Sequence, residues 1–218
     1  MKPPALLLLP LCLAGCAAFP APAPSPCAVL GVSDSARDNR LSAVSGSVSA
    51  PARMLGLTDG KSEAPPPKGR VYLADAVGTP VPGVAETTID ATGRYALVGV
   101  PGGHTFFVVA TFNDPSGQKA SLMTLFKSAP EGAEAELDAA STLLSAALAA
   151  RLEGFSAPFE AAKWKSAIAA TRSALKDPST LDFTSREATL GFMTRLRAAN
   201  PTLDQTVSAL EKAWSQGG

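Results

Sequence analysis

The sequence predicts an α+β fold: a small antiparallel β-sandwich followed by a C-terminal helical layer of about four helices. Three observations carry that reading. Between Leu41 and about Ala129, apolar residues alternate with polar ones and turn signals recur about every ten residues, the rhythm of short antiparallel strands. From Glu134 onward the apolar period lengthens from two to about 3.6. Residues 1–15 resemble neither half: they are a short greasy run behind one lysine.

That N-terminal run has the order of an export signal. Lys2 supplies a positive charge, Ala5 to Leu13 is apolar except for Pro10, and small residues follow at Ala14 and Gly15. The apolar stretch is about half the ~20 residues that a membrane-spanning helix needs. Leu13-Ala14-Gly15-Cys16 resembles the lipobox of bacterial lipoproteins at every position. The resemblance implies cleavage between Gly15 and Cys16, with Cys16 as the first mature residue and its sulfur as the lipid attachment atom. It implies a place in the bacterial cell envelope, and the outer membrane if there are two, because Ala17 is not the aspartate that favours inner-membrane retention. Two or more acyl chains give stable attachment. Cys12 lies inside the signal and leaves with it.

Residues 16–40 read as a lipidated cysteine and a tether. Ala17 to Pro26 alternates proline with small residues and favours the extended polyproline conformation, so it holds the body off the membrane. Cys27 is the one other cysteine of the mature chain, so no disulfide forms within the folded part, and Cys27 is either free or paired between chains. The whole chain carries 19 basic and 19 acidic side chains with no basic run, which gives no electrostatic case for nucleic acid.

Residues 41–130 form the sandwich. "LSAVSGSVSAPA" from Leu41 opens it, and a loop marked by Asp59-Gly60 and Pro65 to Pro67 follows. Val71 and Leu73 alternate with Tyr72 and Ala74, and Tyr95 and Leu97 with Arg94 and Ala96. Turns are expected at Gly78, Asp90 to Gly93, Pro101 to Gly103 and Asn113 to Gly117. In "HTFFVVATF" both alternating rows are partly apolar, so the second face of that strand is covered.

One motif within this region is more specific. Gly78, Pro80, Val81, Gly83 and Val84 are followed by Thr87 and Thr88, then by Asp90, Gly93, Tyr95 and Leu97, then by Val100, Pro101 and Gly102. The pattern resembles the carboxypeptidase regulatory-like module, a transthyretin-like (Ig-like) sandwich common in bacterial surface proteins. The match covers about residues 69–112. The insertion from Pro51 to Lys68 is longer than the family's simple strand connection. In physical terms the motif is turn chemistry: Asp90 bonds its own backbone, Gly93 supplies a positive φ, and Tyr95 and Leu97 fill the core.

Residues 131–218 form the helical region. Leu137, Leu144, Leu148, Leu152 and Phe155 lie on one stripe of a first helix, ended or kinked at Gly154. A second helix starts near Ser156 and Pro158, with Trp164, Ile168, Thr171 and Leu175 inward, and stops at Asp177-Pro178. Thr184 to Glu187 and Thr202 to Gln205 read as capping boxes ahead of two further helices, separated by Asn200-Pro201. Leu190, Met193 and Arg197 mark one stripe, and Val207, Leu210 and Trp214 the other. These stripes need a surface, so the helices pack on or beside the sandwich.

The sequence supplies no catalytic residue, no metal ligand set and no cofactor site. His104 is the single histidine, which removes Ser-His pairs with a spare histidine, multi-histidine zinc sites and the zinc catalytic domain that accompanies the regulatory module in carboxypeptidases. Ser116 to Lys119 matches S-x-x-K formally but reads as a turn. Asp34, Asp38, Asp59 and Asp75 have no metal-loop spacing. Trp164 and Trp214 fall on helical stripes and read as core instead of sugar platforms. The leading expectation is a non-catalytic envelope lipoprotein that docks to an envelope protein or supports assembly. The alternatives are a carbohydrate-binding lipoprotein and a hydrolase with a carboxylate or serine site between sandwich and helices.

Overall fold

The computed structural model describes residues 41–57, 66–75, 78–149, 159–178, 181, 183 and 185–215, with side chains up to residue 213. Residues 1–40, with Gly15, Cys16, Asp34 and Asp38, lie outside the described residues, as do Asp59, Leu152, Phe155, Pro158 and Thr184. The fold is α+β. Seven strands run in the order β1 (Leu41–Ser47), β2 (Gly69–Ala74), β3 (Thr87–Thr88), β4 (Arg94–Pro101), β5 (Thr105–Asn113), β6 (Lys119–Lys127) and β7 (Ala133–Glu134). Among the described residues four helices follow: α1 (Ala139–Ala149), α2 (Ala161–Ala174), α3 (Arg186–Ala199) and α4 (Pro201–Ser215).

The strands form two sheets, ordered β4-β1-β7 and β3-β2-β5-β6. Pairing is antiparallel except between β1 and β7. Val44, Tyr95, Leu97 and Val100 of the first sheet and Val71, Leu73, Phe106 and Val108 of the second belong to one buried apolar cluster. The alternation read for β4 holds: Tyr95 and Leu97 are buried while Arg94, Ala96 and Val98 face out. In β5, Phe106 through Ala110 are all buried, so both faces of that strand are covered as its two apolar rows require.

The turns use the expected chemistry. One carboxylate oxygen of Asp90 accepts from the N–H groups of Thr92 (2.8 Å) and Arg94 (2.9 Å), and Gly93 takes φ 78°. Asp114 repeats the device on Ser116 and Gln118, at 2.9 and 2.8 Å, with Gly117 at φ 83°. The Ser116 hydroxyl is spent on Asp114, which leaves the S-x-x-K match as turn structure.

The helical half departs from expectation at its start. Residues 134–137, read from sequence as the start of the helical period, continue the first sheet instead. Ala135 and Leu137 donate to the carbonyls of Ser45 and Ser47, both at 2.9 Å, and Leu137 bridges Val48. The physical reason lies in the local pattern: Glu134 and Glu136 alternate with Ala133, Ala135 and Leu137, a period of two that the longer leucine stripe masks. Helix α1 then begins at Ala139 and is buried all round from Ala139 to Leu148, because alanine, serine and threonine let neighbours close in on every side. It packs against β6 on one side and against α2 and α3 on the others. Met123 of β6 donates its N–H to the Thr142 hydroxyl at 3.0 Å.

Helix α2 begins at Ala161, later than the start expected near Ser156 and Pro158, and the last two helices start one or two residues from their expected positions. Ser185 caps α3, its hydroxyl accepting from the Ala188 N–H at 3.2 Å. Pro201 opens α4, where its missing donor leaves no bond unmade. Arg197, on the apolar stripe of α3, reaches Asp204 and Glu211 of α4 at 2.7 Å each and the Ser208 hydroxyl at 2.9 Å.

Candidate functional site

A groove of about 600 Å³ opens where the strand end of the fold meets α2. One wall is the last turn of β6 and the chain through β7, from Thr124 to Glu136; the other is the face of α2 that carries Lys165, Ile168 and Ala169. Its sequence logic is simple. On a helix, residues 161, 165, 168, 169 and 172 share a face, and that face turns toward the groove; Trp164 lines the groove from its buried base, while Ala167 and Thr171 turn into the core. Trp164 is 4% exposed and Phe159 lies 6.2 Å from it, centroid to centroid.

The electrostatics divide between the walls. Arg172 is bound in structure: its guanidinium contacts Asp138 at 2.7 Å and Glu136 at 2.8 Å, which ties α2 to the segment joining β7 and α1. Burial works against its charge, and the hydrogen bonds to Asp138 and Glu136 more than offset this and raise its pKa. On the far side of Arg172 lies a smaller cavity of about 300 Å³, lined by Ser49 to Ala52, Asp138 to Ala140, Leu175 and Pro178. Lys127, Lys165, Glu131 and Glu134 also line the main groove, and none has an ion-pair partner among the described residues. The groove therefore presents charges of both signs around an apolar floor.

Behind the strand wall, the phenol of Tyr95 donates to the carbonyl of Ala135. Burial foremost, then the nearby Glu134 and Glu136 carboxylates, pushes its pKa far above the ordinary range. Gly46, paired with Tyr95 across β1 and β4, makes room: a Cβ there would meet the Ala135 carbonyl oxygen at 1.9 Å.

Of the other residues weighed from sequence, Trp164 lines this groove from within the core, and His104, Asp75, Asp90 and Asp114 do not reach it. His104 sits in the turn between β4 and β5, where its N–H donates to the Ser128 hydroxyl at 3.0 Å and its ring packs edge-on to Phe106. Asp75 is buried in a turn, accepting from the Thr79 N–H at 2.8 Å. The Trp164 ring is core, not an exposed platform, and the Trp214 side chain lies outside the described residues. Asp90 and Asp114 have lowered pKa values, Asp90 first through the Arg94 N–H and Asp114 first through the Ser116 hydroxyl; Asp90 is an exposed and Asp114 a half-buried turn residue. Among the described residues no three His, Cys, Asp or Glu side chains gather as metal ligands. What the sequence missed is the pairing of Arg172 with residues some 35 positions earlier, for which local spacing carries no signal. No protein-family model, curated protein or solved structure matches the chain.

Proposed function

We propose that this chain is a lipid-anchored bacterial envelope lipoprotein whose folded body serves as a non-catalytic docking or assembly module. The observation that carries the docking role is the groove between the strand wall and α2, with an apolar floor and unpaired charges of both signs. Such a surface recognises a partner by complementary charge while burying apolar area. The anchor rests on the order of Leu13, Ala14, Gly15 and Cys16 behind the apolar run. No helix among the described residues is long and apolar enough to cross a membrane. The body reads as a transthyretin-like sandwich of the carboxypeptidase regulatory-like type, supported by Asp90 and Gly93 in a tight turn and by Tyr95 and Leu97 in the core.

Two measurements test the reading. In a bacterial host, wild-type protein takes up labelled fatty acid and partitions into detergent, whereas Cys16→Ser does neither; equal partitioning of the two overturns the anchor. Affinity capture of envelope extract on the mature body, beside a glycan array, tests the docking role. Specific protein partners with a silent array support it, and saturable glycan binding without a protein partner overturns it.

A further inference from the structure

The sheet edges differ in how they are finished. Of the strands that end the two sheets, β3 is two residues long, and β4 carries the extra residue Gly99, whose φ of 75° places a bulge in that edge. Along β6, the Met123 N–H is taken by Thr142 of α1. The edge formed by β7 and its continuation to Leu137 is treated otherwise. Ala135 and Leu137 spend their N–H groups on β1, so the alternation of a strand turns the N–H and C=O of Glu134 and Glu136 away from β1. Glu134 to Glu136 line the groove, opposite Ile168 and the unpaired Lys165. Unpaired Glu131 and Lys127 lie near the same wall.

Resting on the docking role, we infer that the groove takes an extended peptide of a partner protein, added as a strand to the edge at Glu134–Glu136. Strand addition supplies main-chain hydrogen bonds, and alternate side chains supply selectivity. Here one row of the added strand meets Ile168 and the apolar floor. Basic side chains meet Glu131 and Glu134, and an acidic one meets Lys165 or Lys127.

The test is a displayed short-peptide library panned on the mature chain carrying Cys16→Ser, on Glu134→Pro, and on the double variant Glu131→Lys, Glu134→Lys. Proline at 134 removes an outward donor and leaves the bonds from Ala135 and Leu137 to β1. Both glutamates are exposed, so the charge-reversed variant keeps the fold even where the proline does not. Enriched peptides are expected to place a basic residue beside an apolar one and to lose roughly three- to tenfold in affinity on Glu134→Pro, the range of one or two main-chain hydrogen bonds. Panning on the charge-reversed variant is expected to select acidic peptides instead. Peptides that bind all three proteins equally overturn the inference and leave the docking role standing at another surface. A library that yields nothing while envelope capture still retains a folded protein does the same. A photoreactive group at position 165 that joins to residues 16–40 of the same chain, or to a second copy, also overturns it.

Discussion

Replacing Tyr95 by phenylalanine separates a hydrogen bond from the packing around it. The ring is 4% exposed and lies across from Gly46, and its hydroxyl donates to the carbonyl of Ala135, a residue 5% exposed. Phenylalanine keeps the ring and leaves that carbonyl unsatisfied, so near neutral pH the variant is expected to lose about 1–2 kcal/mol. The alkaline range then discriminates. Tyr95 has a raised pKa in the folded protein, whereas in the unfolded chain it ionises near the ordinary tyrosine value of about 10. A raised folded value means that the stabilisation is complete below about pH 10 and falls as the pH rises toward the folded value, because the unfolded state releases its proton first. By about pH 11 that loss reaches about 1.4 kcal/mol in the wild type through Tyr95 alone, and the phenylalanine variant has no such loss. Every other group is common to both proteins and cancels in the difference. Urea denaturation followed by circular dichroism, at steps from neutral pH to about 11, is expected to show the gap narrowing toward zero. A gap that stays constant across the alkaline range would refute the reasoning.

Three further substitutions probe the same architecture. Gly46→Ala places a Cβ 1.9 Å from the Ala135 oxygen, so β7 must move off β1; a loss of about 3 kcal/mol or more is expected, with amide-exchange protection lost at Ala135 and Leu137. Arg197→Met leaves Glu211, 13% exposed, without its guanidinium; a loss of about 2–3 kcal/mol is expected, read as faster amide exchange along α4. The lowered pKa values of Asp90 and Asp114 mean that their contribution is present above the unfolded value of about 3.9 and is lost as the pH falls through the folded values. Carboxyl titration by NMR is expected to place both below the unfolded value, and Asp90→Asn to remove one of the two acid-side dependences.

The parts that were legible in the sequence are those fixed by neighbours along the chain. Tyr95 and Leu97 announce an inward face because period two is a property of one strand, and Asp90 to Gly93 announce a turn because the bonds span four residues. Helix α1 was legible as a helix but not as one buried on every side, since that depends on α2, α3 and β6 arriving from elsewhere in the chain. The groove was legible only as a junction between sandwich and helices. Its strand wall was hidden because β7 pairs in parallel with β1, about ninety residues earlier, and because two paired residues are too few to outweigh the leucine stripe that follows. Arg197 was read as one member of the α3 stripe; its ion pairs became visible only with α4 folded back beside it.

Those long-range pairings give the groove its rigidity. The strand wall is fastened from behind by the Tyr95 hydroxyl and by the bonds of Ala135 and Leu137 to β1. The helix wall is fastened to the same segment by Arg172, through Glu136 and Asp138, while α1 wedges between α2 and β6. Moving either wall disturbs the packing of α1, which touches both, so the sheets and the helices act as one support. On the docking reading, a groove held open in this way would need little ordering on binding, and the entropy it does not lose would stay in the affinity. The same reasoning explains why Glu131, Glu134, Lys127 and Lys165 matter more than their number. On that reading, Lys165 on the helix wall and Glu131, Glu134 and Lys127 on the strand wall would offer a ligand lying between them charge on both sides.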